Sequence, residues 1–128
     1  MSANLLTHRI VPARQGEAPH PALLLLHGRG TDENDLLPLA GELDPRLLVI
    51  SARAPFRFPW GGYMWYDLDP RGVGYPDRRT LEQSLEALHA LIDRMGEEQP
   101  IDRGRLYAGG FSMGAAMRAS SSGVRRLR

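Results

Sequence analysis

An α/β protein with a mainly parallel sheet is the architecture this chain predicts, and three observations predict it. Strand-like and helix-like stretches alternate along a single chain. The run from Ala22 to His27 is continuously aliphatic until its last residue, the pattern of a central parallel strand covered on both faces. The pentapeptide Gly110-Phe111-Ser112-Met113-Gly114 follows directly behind another apolar run, as where a strand turns sharply into a helix.

The elements follow in order. Leu5 to Val11 carries β-compatible residues before Pro12 and is expected to form an outer, antiparallel edge strand, with Gln15 to Pro21 as a turn-rich connection. Ala22 to His27 should be the middle of the sheet and ends in His27-Gly28-Arg29-Gly30. Asn34 to Leu43 reads as a helix with an apolar face of Leu36, Leu37, Leu39, Ala40 and Leu43. Pro38 is tolerated only in a first turn, which places the cap at Asn34 or Asp35. Leu47 to Ser51 is the next buried strand. Arg53 to Pro76 is a long connection dense in Pro, Gly and aromatic residues.

Thr80 to Gln99 is the clearest helix, with Leu81, Leu85, Leu88, Leu91, Ile92 and Met95 at helical spacing and a capping box of Thr80 with Gln83. Gly96 or Pro100 closes it, Asp102 to Gly104 makes a turn, and Arg105 to Gly110 is the strand that delivers Ser112. Crossovers between such parallel strands are expected to be right-handed.

Composition narrows the function. The chain has 128 residues, enough for one domain with its own core. Sixteen basic residues, every one an arginine, nearly balance fifteen acidic ones, so overall charge argues for neither nucleic acid nor an anionic membrane. Arginine without lysine, together with abundant Ala, Gly, Pro and Leu, is the composition of a GC-rich genome. The absence of cysteine excludes a thiolate nucleophile or metal site, so a nucleophile must be oxygen-based. No signal-like segment stands at the N-terminus and no apolar run is long enough to span a bilayer, which gives a cytoplasmic protein as the expectation.

Ser112 sits at the apex of a nucleophile elbow in this reading, with Gly110 and Gly114 leaving room for close chain contacts. The helix behind it would aim free backbone N–H groups at the developing negative charge of an acyl-transfer reaction. Joined to the upstream His27-Gly28-Arg29-Gly30 loop, the Trp65-Tyr66-Asp67 segment and the long amphipathic helix, the chain from about Leu5 to Met117 resembles the phospholipase/carboxylesterase family of α/β-hydrolases. That family includes acyl-protein thioesterases and small bacterial carboxylesterases.

The resemblance implies a partial α/β-hydrolase fold and hydrolysis of a small carboxylic ester or thioester through an acyl-serine intermediate. It implies Ser112 as the nucleophile, the backbone N–H groups of Arg29 and Met113 as the oxyanion hole, and no metal or cofactor. His27, Gly28, Gly30 and Trp65 belong to the same motifs. Trp65, within the Trp60 to Asp67 stretch, is expected either to wall the substrate pocket or to help an aromatic loop shield apolar surface. A plain glycine loop or a dinucleotide-binding turn is the rival for Gly28 to Gly30, but Glu33 stands where the third fingerprint glycine would be. A dienelactone hydrolase is disfavoured by the elbow's lack of cysteine. Asp67 and Asp69 are too few to make a metal site and are expected to be solvated or capping residues.

In the family the triad runs Ser, Asp, His, with both later members downstream of the elbow. Here Met113 to Arg128 hold no His, Asp or Glu, and His8, His20, His27 and His89 all precede Ser112. His27 is expected to shape its loop rather than act as a base, and the other three to be surface or helix residues. The basic Ser/Arg tail, residues 118–128, has lost the periodicity of a packing helix, leaving residues 1–117 as the N-terminal part of one domain. The expectation is a truncated or frameshifted product, and a catalytically inactive fragment is the alternative to an esterase. For this polypeptide the sequence favours inactivity, because a serine hydroxyl without a base is a poor nucleophile.

Overall fold

A computed structural model describes residues 5–71 and 75–110 of the chain. Its main sheet has four strands in the order β1, β3, β2, β6, where β1 is His8–Val11, β2 His20–Leu26, β3 Leu48–Ala52 and β6 Ile101–Gly110. The strand β1 pairs antiparallel with β3 at the edge, while β2 runs parallel to both β3 and β6. The aliphatic run therefore lies inside the sheet, as its unbroken hydrophobicity requires. Asp102 to Arg105 form an irregularity within β6, which advances five residues from Ile101 to Leu106 while β2 advances two. The expected turn thus sits inside the strand, with Asp102 Oδ1 accepting from the Gly104 amide at 2.9 Å.

One sheet face is covered by the helix α1, Arg78–Glu98, whose Leu88, Leu91 and Met95 pack on Ala22, Leu24, Leu26, Ile50, Leu106 and Ala108. The other carries Leu25, Val49 and Ala40 with Leu23, Leu36, Leu43 and Leu47 beside them. Adjacent β2 residues go to opposite clusters because side chains alternate along a strand.

Two expectations about helices are corrected, and of the two residues expected to close the long helix one is selected. The segment after the first glycine loop is a short 3-10 helix, Leu37–Glu42, with Leu36 rather than Asn34 or Asp35 at its cap and no side-chain cap bond. Pro38 has no N–H to give an α-helical ladder, and the turn closes through bonds three residues apart, Leu37 N to Asn34 O and Leu39 N to Leu36 O. The cap of α1 is Asp77, whose carboxylate accepts from the Thr80 amide at 3.0 Å, so Thr80 lies inside the helix. Gly96 does not close α1, which continues to Glu98 with Gln99 as its C-cap before Pro100. The Arg103 guanidinium occupies the space a side chain at 96 would need and donates to the Asp93 carbonyl at 3.0 Å.

The long connection is built rather than loose. It holds a two-stranded hairpin, β4 Phe56–Arg57 and β5 Tyr63–Met64, and an isolated bridge between Leu68 and Pro76. Trp65 and Met64 enter the core of the α1 face, while Trp60 stands 86% exposed at the hairpin tip.

Candidate active site

The site begins where β2 and β6 end side by side. The register pairs Leu26 with Gly110 in parallel. The loop His27 to Gly30 therefore leaves the sheet at the C-terminal edge where β6 ends at Gly110. Open α/β sheets gather their ligands at that edge. Ser112, Met113 and Gly114 lie outside the described residues, as does the tail 118–128; Gly110 is the last residue of β6.

His27 is 1% exposed and both of its ring nitrogens are engaged. Nδ1 donates to the Gly28 carbonyl at 2.7 Å, and Nε2 accepts from the Ala54 amide at 2.9 Å. A carbonyl can only accept and an amide can only donate, so these partners fix the neutral tautomer with its proton on Nδ1. Burial pushes the imidazole below its ordinary pKa, against the opposing pull of the Gly28 bond and of Asp32, Glu33 and Asp35. With no ring nitrogen left to take a proton from a serine, His27 shapes the loop. Trp65 is fully buried, lies 5.4 Å from the His27 ring and donates from Nε1 to the His27 carbonyl at 2.9 Å. The α1 residue Ser84 in turn donates to the Trp65 carbonyl.

Beyond His27 the loop is clasped by β5. Gly30, at a φ of 85°, donates to the Tyr63 carbonyl at 2.9 Å, and the Tyr63 amide donates to the Thr31 carbonyl at 2.8 Å. The Thr31 hydroxyl closes back on the Gly28 carbonyl at 3.0 Å. Between these anchors the Arg29 backbone N–H has no hydrogen-bond partner among the described residues. The Arg29 guanidinium donates from Nη2 to the Tyr66 carbonyl at 3.0 Å and lies 5.4 Å from the centre of the Phe58 ring. Its side chain is thus tied to the hairpin segment.

Sequence reasoning missed the partners of this loop. Glu33 is 4% exposed and forms a bidentate ion pair with Arg53 at 2.8 and 2.9 Å, which lowers the carboxyl pKa. Gly62, with a φ of 71°, backs directly onto Gly30. The pair of glycines at 61 and 62 was the available signal for a close approach; nothing in the sequence joins Glu33 to Arg53. Asp69 pairs with Arg71 at 2.9 Å, which holds its carboxyl down at about 2, and the Asp67 backbone joins the start of α1, its N–H donating to Thr80 Oγ1 at 2.9 Å. Among the described residues no group of three or more His, Asp or Glu side chains could hold a metal ion.

A mainly parallel sheet with a helix between β3 and β6, and a glycine-rich loop at the end of its central strand, is the architecture of an α/β-hydrolase. The chain belongs to the phospholipase/carboxylesterase family, whose profile it matches over residues 7–125. It is 34% identical over 103 residues to MhqD of Bacillus subtilis, described as a hydrolase, a match spanning 77% of this chain and 48% of that protein. The fold superposes on a Bacillus cereus carboxylesterase with a TM-score of 0.76 and 30% identity, covering 90% of this chain and 52% of the other. It also superposes on Zea mays acyl-protein thioesterase 2 with a TM-score of 0.67 and 27% identity, covering 91% and 50%. The chain spans about half the length of each of these relatives. No helix among the described residues is long and apolar enough to cross a membrane.

Proposed function

We propose that this chain carries the nucleophile and oxyanion half of a serine hydrolase site acting on small carboxylic esters or thioesters. One observation carries the reading: the Arg29 N–H, which has no partner among the described residues, stands three residues beyond the end of β2, and β2 pairs with the strand end that precedes Ser112 by two residues in the sequence. In this mechanism Ser112 Oγ attacks the acyl carbon, and the carbonyl electron pair moves onto its oxygen. The Arg29 and Met113 N–H groups hold that oxyanion, each donor being worth about 3 to 4 kcal/mol in the transition state. Collapse expels the alcohol or thiol, which takes up the serine proton, and water then releases the acid from the acyl-serine. No step calls on a metal or cofactor.

The proton has to pass through a base. Among the sixteen residues after Ser112 there is no His, Asp or Glu, and His27 has both ring nitrogens engaged. A second reading is that these 128 residues taken alone do not turn over substrate, and the engagement of both His27 ring nitrogens supports it. Without a triad partner a residual acceleration of about 10³ to 10⁴ over water is the usual limit.

Labelling with a fluorophosphonate probe and hydrolysis of a p-nitrophenyl ester, each compared with Ser112→Ala, decide between the two. Labelling and turnover that vanish in the variant support the hydrolase reading. Equal background in both proteins removes it and leaves the inactive chain.

A further inference from the structure

Three residues beyond Gly30 stands a buried carboxylate that the proposed reaction does not use. Both oxygens of Glu33 accept from one guanidinium, at 2.8 Å from Arg53 Nε and 2.9 Å from Nη2. Arg53 follows the last residue of β3. Glu33 is buried and Arg53 is half-buried, and such a pair contributes little net stability, because desolvation of the carboxylate offsets much of the attraction. What it does supply is direction, since a planar guanidinium meeting a carboxylate at two points fixes both groups.

The same guanidinium reaches the clasp on the loop. It lies 4.5 Å from the centre of the Tyr63 ring and donates from Nη1 to the Tyr63 hydroxyl at 3.2 Å. Tyr63 is the residue whose backbone holds Gly30 and Thr31. On the far side, the Glu33 carbonyl accepts from the buried Ser51 hydroxyl at 2.6 Å. One side chain, Arg53, therefore grips the end of the loop through Glu33 and its middle through Tyr63.

We propose that Glu33, Arg53 and Tyr63 are positioning residues that set the direction of the Arg29 N–H. This rests on the reading of Arg29 as an oxyanion donor. None of the three touches substrate; they act through the backbone of residues 29–31. Their loss should loosen the loop locally and slow the chemical step without weakening substrate binding.

Amide hydrogen exchange, read by NMR on the whole chain, tests the brace directly. Glu33→Gln preserves size and removes the charge, Arg53→Lys preserves charge and removes the fork, and Arg53→Met removes both. Exchange at Gly30 and Tyr63 should rise about tenfold in Glu33→Gln and Arg53→Met, and by less in Arg53→Lys, with Leu24 and Leu88 unchanged. Unchanged exchange at Gly30 and Tyr63, or an equal rise in the core amides, would overturn the proposal; Glu33→Gln keeps it decidable if Arg53→Met does not fold. Given Ser112-dependent turnover of a p-nitrophenyl ester, the same variants should lower kcat about tenfold at constant KM, and a change confined to KM would count against the brace. A parent chain without Ser112-dependent turnover would defeat the hydrolase reading alone, because the exchange at Gly30 and Tyr63 still decides whether the brace exists.

Discussion

Gly62 and Gly30 meet backbone to backbone, with the Gly30 carbonyl occupying the place where a side-chain carbon on Gly62 would stand. Both residues also have left-handed backbone angles, a φ of 71° at Gly62 and 85° at Gly30. The hairpin can therefore press against this loop because Gly62 has no side-chain carbon, whereas Gly30 contributes its left-handed angle, a carbon added there meeting nothing closer than 3.6 Å among the described residues.

Gly62→Ala should be among the most damaging single changes outside the core. It combines an unfavourable φ with a clash against backbone that cannot swing away, and should destabilise the chain by about 2 kcal/mol or more. Gly41→Ala is the control, since among the described residues the added carbon meets no atom within 4 Å beyond its own stretch of chain, and its φ is not left-handed. Its stability from urea denaturation should stay within about 0.5 kcal/mol of the parent. Equal midpoints for the two variants would contradict the close approach.

Acid should weaken the fold in two stages. His27 is held neutral by burial, so its folded pKa lies below its unfolded one. The unfolded chain then binds the extra proton first, and stability is complete above about pH 6.5 and is lost as pH falls toward the folded value. The slope contributed by this one group is at most about 1.4 kcal/mol per pH unit. Glu33 adds a second decline below the ordinary carboxylate range, because Arg53 holds its folded pKa down and that stabilisation disappears on protonation. Urea midpoints from pH 8 to pH 4 should show the first decline in the parent and a flatter curve in His27→Gln; parallel curves would remove the assignment to His27.

Trp65 links helix, loop and hairpin through two hydrogen bonds. Trp65→Phe keeps an aromatic ring but leaves the buried His27 carbonyl without the indole donor, a loss of about 1 to 3 kcal/mol. Ser84→Ala removes the bond to the Trp65 carbonyl from a site with no exposure and should cost a similar amount. The two side chains share Trp65, so the double variant should depart from additivity by about 0.5 kcal/mol or more. Denaturation of the four proteins forms the cycle that measures it, and strict additivity would show that the contacts act separately.

The parts of this fold that were legible in advance are those set by local patterns. The continuous aliphatic run placed β2 inside a parallel sheet, and the leucines at helical spacing placed α1 on it. What was not legible depends on competition or on distance. Asp77 and Thr80 both suit a cap, and only the backbone path shows that Asp77 receives the amide while Thr80 Oγ1 bonds back to the Asp77 carbonyl. Pro38 was correctly placed in a first turn, but the turn is too tight to become α-helical. The glycine loop was found from its motif, whereas its supports come from residues 53 to 66, twenty or more positions away, whose pairing no periodicity encodes.

Arg29 offers the sharpest separation of backbone from side chain at the candidate site. Its guanidinium ties the loop to the Tyr66 carbonyl, while its N–H is the group assigned to the oxyanion. Arg29→Ala keeps the N–H and should reduce the rate of Ser112 labelling by a fluorophosphonate by less than about tenfold, through loosening alone. Arg29→Pro deletes the donor itself and should reduce the rate by about 10² to 10³. Gly30 and Tyr63 exchange, measured in both variants, separates loss of the donor from collapse of the loop. If the proline variant keeps those two amides protected and still labels as fast as the alanine variant, the Arg29 N–H is not an oxyanion donor.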